Sequence, residues 1–428
     1  SFMTGMYSNQ TKMTKNNVFL RTTVPDVITI GQRFRQQGYQ SVRIGKIFHY
    51  DNPSTIGTSG IDDIYSWDQT INPYGRDKLE EYKINTLSPR RYGGTLSWMA
   101  SDGADEEQTD GIGASEAIKK LEIFSNTGEN FFLAVGFFRP HTPFVAPKKY
   151  FDLYSKDDIV IPESSPDYLK TIPIPAAKSV RSKKNQINLE EDLAKEIKQA
   201  YFATISFVDA QVGRIINKLK QTGLDKNTIV VFTSDHGYHM GEHGHWQKQT
   251  LFNNATKVPL IINVPGKDYI TKISNRPVEL IDIFPTLMDL THIISPSKKK
   301  KKSLKPIIEN KTSFVRKNAL TRWRNGYSVR TERFRLTKWD INGDFQYELY
   351  DHKFDEEELN NLALDSNYNL IRDSLIQTIN RRIVQADMKP NGVGRQIENV
   401  KPIPRIINVT YGDIHNENGK ITHLKPKN

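Results

Sequence analysis

Short apolar runs separated by longer amphipathic stretches set the rhythm of this chain. Ser41–Ile44 (SVRI), Phe131–Phe137 (FFLAVGF), Thr228–Phe232 (TIVVF) and Val258–Val264 (VPLIINV) are rich in β-branched and aromatic residues. The run Thr228–Phe232 reads as a buried parallel strand and Phe131–Phe137 as a central one, because a strand covered on both faces is continuously apolar. Helical periodicity fills the intervals. Thr29 can cap a helix over about Ile30–Gln37, with Gly38 as its stop. A second helix is expected from near Gly113 to Phe124, where Ala117, Ile118, Leu121 and Phe124 share a face. A long third begins near Leu189 and carries Ile197, Tyr201, Ile205, Val208, Val212, Ile215 and Leu219 as a core stripe, ending at Gly223. Val278–Leu290 is a fourth, interrupted near Pro285. Residues 51–110 and 152–190 lack clear periodicity and read as long loops. This alternation predicts an α/β fold with a large mixed, mostly parallel sheet flanked by helices.

The rhythm changes after residue 293. Residues 294–312 are polar, contain the lysine run Lys298–Lys302 and read as a linker. Gly326–Arg330, Arg333–Trp339 and Tyr347–Tyr350 then read as short strands, and Asn369–Val384 as a helix. The expected organisation is an α/β domain over 1–293, the linker, a small α+β subdomain with an antiparallel sheet over 313–389, and a tail over 390–428 with no clear signal.

Composition narrows the possibilities only a little. At 428 residues the chain exceeds one small domain, at roughly 100–200 residues each. With 37% hydrophobic residues it can bury a core, which excludes wholesale disorder. It has no run of roughly eighteen apolar residues, so no membrane span is expected. There are no cysteines, which removes thiolate chemistry from these residues. The net charge of +11 favours anionic partners, but no nucleic-acid recognition motif accompanies it. The chain opens SFMTGMYSNQT, without a leader-peptide pattern, and reads as though it starts inside an element.

Functional groups in open α/β sheets collect beyond the carboxyl ends of the strands. Three such ends carry chemistry here. Gly45, Lys46, Ile47, Phe48 and His49 follow the first run; Arg139, Pro140, His141, Thr142 and Pro143 follow the second. Ser234, Asp235, His236 and Gly237 follow the third, with Lys248 a dozen residues on. Singly, each reads as a polar strand-end loop. Together, two lysines, several histidines and a potential metal-binding Asp-His pair describe a pocket for a tetrahedral oxyanion. Trp67 and Trp98, within the 51–110 excursion, are candidate substrate contacts or satellite core.

The chain resembles a type I sulfatase of the alkaline-phosphatase-like superfamily, and most of all the iduronate-2-sulfatase group. The resemblance rests on SFMTG (Ser1–Gly5), GYQSVRIGKIFH (Gly38–His49), FFLAVGFFRPHTPF (Phe131–Phe144), YFATISFVDAQVGR (Tyr201–Arg214), FTSDHGYHMGEHGHWQK (Phe232–Lys248) and ELYDHKFDEEELNNLA (Glu348–Ala363). It implies that Asp235 and His236 bind calcium, that Lys46 and Lys248 hold sulfate oxygens, that His141 protonates the leaving oxygen, and that His49 assists the nucleophile. It also implies a sulfated carbohydrate substrate, a formylglycine made by a dedicated maturation enzyme, and a secreted, periplasmic or lysosomal setting. One departure stands out. The Cys/Ser-x-Pro-Ser-Arg signature that precedes SFMTG in the family, and its modified residue, would lie upstream of Ser1, so the given residues are expected to be a truncated form without the nucleophile. The rival readings are a phosphatase or phosphodiesterase of the same superfamily, and a degenerate protein that only binds polysaccharide.

Overall fold

A computed structural model describes residues 1–88, 92–163, 166–267, 273–295, 302–312, 314–403, 413–415 and 421–423. The central layer holds three parallel strands in the order Gln69–Ile71, Gln40–Gly45, Phe131–Gly136. Side chains alternate across it, as pleating requires. Phe131, Leu133 and Val135 point to one face, where Ala117 and Phe124 of helix Thr109–Thr127 cover them together with Val42 and Ile44. Phe132 and Ala134 point to the other, against Phe34 of helix Ile30–Arg35 and Phe284, Leu287 and Met288 of helix Ile283–Leu290.

The third run departs from expectation. Val230–Thr233 pairs antiparallel with Leu260–Asn263, in register Thr233 to Leu260, and has no ladder with Phe131–Gly136 among the described residues. The apolar pattern foretold a strand but could not specify its partner. It still shares a core with the parallel layer, because Val231 and Leu260 pack into the cluster that holds Phe132 and Ala134. The strand ends are thus kept on one side of the molecule. Phe232 and Ile261 remain 39% and 60% exposed, so this pair is less covered than a continuous apolar run predicts.

Helix Glu191–Gln221 runs longer than its neighbours, and its buried side is set by Ala194, Ile197, Ala200, Ala203 and Phe207. Ile205, assigned to the stripe from sequence, is exposed. Small residues allow the close approach to helix Thr109–Thr127 and to strands Ser97–Ser101 and Phe144–Pro147. The 51–110 excursion is therefore largely ordered: Ser97–Ser101 pairs with Asn85–Thr86 on one side and Phe144–Pro147 on the other. Pro285 does not break the fourth helix. It sits in the first turn of Ile283–Leu290, where a missing N–H costs no hydrogen bond.

The C-terminal part is a four-stranded antiparallel meander, Ala319–Trp323, Gly326–Arg330, Phe334–Ile341 and Asp344–Asp351. Helix Asn369–Asp387 covers one face through Leu375, Ile379 and Ala386. Trp339 and Tyr350 join Leu251, Phe252 and Ile172 in a separate cluster, which seats the meander on the α/β part. Of the lysine run, residues 298–301 lie outside the described residues, as do most of 404–428. Residues 390–403 return to the N-terminal segment: Ile397 N–H donates to the Thr23 carbonyl and Ile403 N–H to the Asn17 carbonyl, both at 2.8 Å.

Candidate active site

The site is built from strand ends and held by backbone contacts. Lys46 leaves Gln40–Gly45 at a point where two backbones touch. Gly45 has φ +68°, a Cβ on it would lie 2.2 Å from the Gly136 carbonyl oxygen, and a Cβ on Gly136 would lie 1.7 Å from that of Lys46. The Lys46 N–H donates to Gly136 O at 2.8 Å. Only glycine fits both positions.

Lys46 Nζ stands 3.6 Å from Asp235 Oδ2, and His236 Nε2 stands 3.6 Å from Asp235 Oδ1. Burial alone would push the Asp235 carboxyl up. Lys46, His236 and Lys248 outweigh it and hold the group well below the usual carboxylate range. Lys248 Nζ donates to His236 Nε2 at 2.7 Å. Burial, against the attraction of Asp235, lowers the Lys248 ammonium to about 8. Burial is the main cause that brings the His236 imidazole down to about 4, against the pull of Asp235 and with Lys248 and Lys46 adding to it.

His236 and His141 share a local device. His236 Nδ1–H donates to the carbonyl of Gly237 at 2.7 Å, and His141 Nδ1–H to that of Thr142 at 2.6 Å. Each ring is bound to the next peptide unit, which fixes the tautomer and leaves the Nε2 lone pair on the opposite side. The two rings meet edge-on, 6.5 Å apart. Burial, with Lys248 and Lys46 nearby, keeps His141 well below its ordinary value. His49 Nε2 lies 3.7 Å from Asp51 Oδ1, and burial with Lys46 brings this imidazole to about 4.

Lys46, His141, Asp235, His236 and Lys248 therefore surround one crevice, with His49 beside Lys46. The two tryptophans do not join them. Trp67 is 4% exposed, stacks with Phe132 at 6.2 Å and donates its indole N–H to Asp62 at 2.9 Å. Trp98 is 7% exposed, packs with Phe144 and Phe207, and donates to Glu196 at 2.7 Å. Both are core residues whose polar edge is already paired, which corrects their reading as sugar contacts.

Sequence reasoning missed the groups that hold the His141 loop. Asn52 is buried, donates from Nδ2 to Thr142 O at 3.0 Å, and lies 3.5 Å from His141 Nδ1. Its Oδ1 is buried without a partner. The one signal was the Asn-Pro turn close after His49. Asp110 accepts the N–H groups of Phe138 and Arg139, each at 2.9 Å, and Arg139 pairs with Asp77 at 2.6 Å. Burial raises the Asp110 carboxyl to about 6 despite Arg139.

As a metal site the cluster is partial. Asp235 offers an ionised carboxylate and His236 the Nε2 lone pair that Lys248 Nζ now occupies, but calcium takes 6–8 oxygen ligands. Among the described residues no group of three or more His, Asp or Glu side chains converges for a metal. Two donors fit; a complete shell is not formed by these residues.

Two lysines, three imidazoles and a carboxylate thus come together beyond the ends of strands Gln40–Gly45, Phe131–Gly136 and Val230–Thr233. The comparisons agree on the family. A family profile described as "Sulfatase" matches residues 1–293, and one described as "N-sulphoglucosamine sulphohydrolase, C-terminal" matches 241–385. The chain belongs to the sulfatase family. It is 32% identical to a sulfatase of Formosa agariphila, over 84% of this chain and 70% of that protein. It is also 32% identical to the iduronate 2-sulfatase of Homo sapiens, over 69% of this chain and 60% of that protein. The matched stretch thus spans well under two thirds of the human relative. The phosphonate monoester hydrolase of Silicibacter pomeroyi shares the fold, with TM-score 0.73 and 19% identity over 99% of this chain and 88% of that one. No described helix is long and apolar enough to cross a membrane.

Proposed function

We propose that this protein is a sulfuric ester hydrolase that removes sulfate from a sugar, acting like the iduronate 2-sulfatases on the end of an acidic, sulfated polysaccharide. The observation that supports this reading most is the meeting of Lys46, Lys248 and His141 around the Asp235–His236 pair. Lys46 and Lys248 hold sulfuryl oxygens as point charges and stabilise the charge that develops on them. His141, locked at Nδ1, moves a proton at Nε2 to the departing sugar oxygen. His49, beside Asp51, moves a proton on the attacking side through its Nε2. Asp235 and His236 would be two ligands of a calcium or other divalent ion, which would neutralise sulfuryl charge, while a formylglycine expected upstream of Ser1 would supply the attacking oxygen. That residue requires a formylglycine-generating or sulfatase-maturing enzyme as a partner, and a secreted, periplasmic or lysosomal location follows from the same resemblance.

The likeness to a phosphonate monoester hydrolase makes phosphoryl transfer the rival. The test compares sulfate release from a 2-O-sulfouronate disaccharide with hydrolysis of a phosphonate monoester, using the intact protein carrying formylglycine. Preference for the phosphonate ester would overturn the reading. In the same protein, His141→Ala should slow the sugar sulfate far more than an activated aryl sulfate, because only the poor leaving group needs the proton. Equal losses would remove the role of His141.

A further inference from the structure

Glu358 lies far along the chain from the crevice, yet its carboxylate gathers four donors. Oε1 accepts from Arg335 Nε at 2.6 Å and from His352 Nε2 at 2.7 Å; Oε2 accepts from Arg335 Nη2 at 2.9 Å and from the Asn253 backbone N–H at 2.9 Å. Three of these donors belong to the C-terminal meander and its following turn. The fourth belongs to the α/β part. Glu358 is fully buried, and Arg335 lies over the rings of Phe252 (5.1 Å) and Tyr350 (4.8 Å). A buried carboxylate with this many charge-assisted bonds is a rigid fixture, and removing one partner is costly.

The turn that Glu358 grips is itself clamped on the site. Asn253–Thr256 forms a single helical turn, and the Ala255 carbonyl accepts the Gly237 N–H at 2.9 Å. A Cβ at Gly237 would lie 2.0 Å from Asn254 O, so the two backbones are in direct contact. Gly237 follows His236 and accepts its Nδ1–H. A continuous set of short contacts therefore runs from the meander through Glu358, the 253–256 turn and Gly237 to the His236–Lys248 pair.

We propose that Glu358 is a positioning residue for the candidate active site: anchored by Arg335 and His352, it fixes the 253–256 turn and through it the placement of His236 opposite Lys248. This rests on the reading of Lys248 and His236 as part of an oxyanion site. The C-terminal meander thereby contributes to the site without presenting a side chain to it.

Asn253→Pro is the sharpest test. It deletes the one N–H that joins Glu358 to the turn and leaves the Arg335–Glu358–His352 bonds in place. Proline is suited to a first helical position, and Phe252 before it is already extended (φ −69°, ψ 157°). The full chain is used, with Glu358→Gln as a second variant. Two readouts are taken at one pH: the 15N shifts of the His236 ring, and the affinity for inorganic sulfate. The expected result is a folded protein with displaced His236 ring signals and sulfate bound about tenfold more weakly, within the range of outer-shell substitutions. Folded variants with His236 signals identical to the parent would overturn the proposal. If the parent itself binds no sulfate, the oxyanion reading fails, while the ring signals still decide whether Glu358 positions His236.

Discussion

Gly237→Ala offers a quantitative test of how tightly the crevice is held. The added methyl would lie 2.0 Å from Asn254 O, 2.8 Å from Lys257 O and 3.0 Å from Asn254 C. An ordinary carbon–oxygen contact is about 3.3 Å, so the first clash requires a retreat of about 1.3 Å. All three atoms are backbone, and no side chain can rotate away. Either the 253–256 turn moves, pulling against the Asn253–Glu358 bond, or Gly237 moves and loses its own bond to Ala255 O. Overpacking of this kind costs about 1–3 kcal/mol, and the lost hydrogen bond about 1 kcal/mol more. Displacing His236 by about 1 Å should also weaken the site strongly, since errors of that size can cost ~100-fold in rate. Urea denaturation and sulfate titration would be run beside Gly213→Ala, a helical position with nothing within 4 Å of the new methyl. That control should gain up to about 1 kcal/mol, because alanine outperforms glycine inside a helix. A Gly237→Ala protein as stable as the parent, with unchanged sulfate affinity, would refute the clash and the coupling drawn from it.

Four further outcomes are expected. Above about pH 8 sulfate affinity should fall, by up to roughly tenfold per pH unit, as Lys248 loses its proton, and Lys248→Met should abolish that part of the slope. The same group makes stability rise with pH between about 8 and 10.5, because there the unfolded chain binds the extra proton; a urea series across that window reads it. Trp98→Phe removes the donor to Glu196 and should cost about 1–2 kcal/mol by urea denaturation while leaving sulfate affinity intact, as befits a core residue. Ending the chain after Lys389 removes the bonds from Arg395 N–H to Asp26 and from Ile397 N–H to Thr23 and uncovers the cluster of Met6, Leu20, Val24 and Val27; Tm should drop by roughly 1 °C for each kcal/mol lost.

Much of the site was legible because its residues follow short apolar runs, and a strand end is recognisable without knowing the strand's partner. Lys46, His141 and Asp235 came from that rule, and Lys248 from the Gly/His-rich loop a dozen residues beyond it. Pairing was not legible: Val230–Thr233 reads the same whether its neighbour is parallel or antiparallel. The long helix misled for a related reason. Its seam is made by alanines, whose small size matters for close packing but contributes little to a hydrophobic stripe, so Ile205 was placed inward when it faces out. Trp67 and Trp98 are amphipathic, and only the positions of Asp62 and Glu196 decide that their N–H groups are satisfied internally. Asn52 and Glu358 were invisible because their roles depend on contacts across 90 and 105 residues of chain, to Thr142 and Asn253.

The attachment of each imidazole to its own following peptide has a consequence for traffic at the crevice. With Nδ1 committed, His141 exchanges protons only through Nε2, the side that also meets the ligand. Near neutrality burial, with the fields of Lys248 and Lys46 added to it, keeps that nitrogen bare. On the function proposed above, a sulfate held between the two lysines would offset their field, and proton uptake at His141 would become easier once the anion is in place. The heat of sulfate binding would then vary with the ionisation enthalpy of the buffer, because the buffer supplies the proton that follows the anion into the crevice.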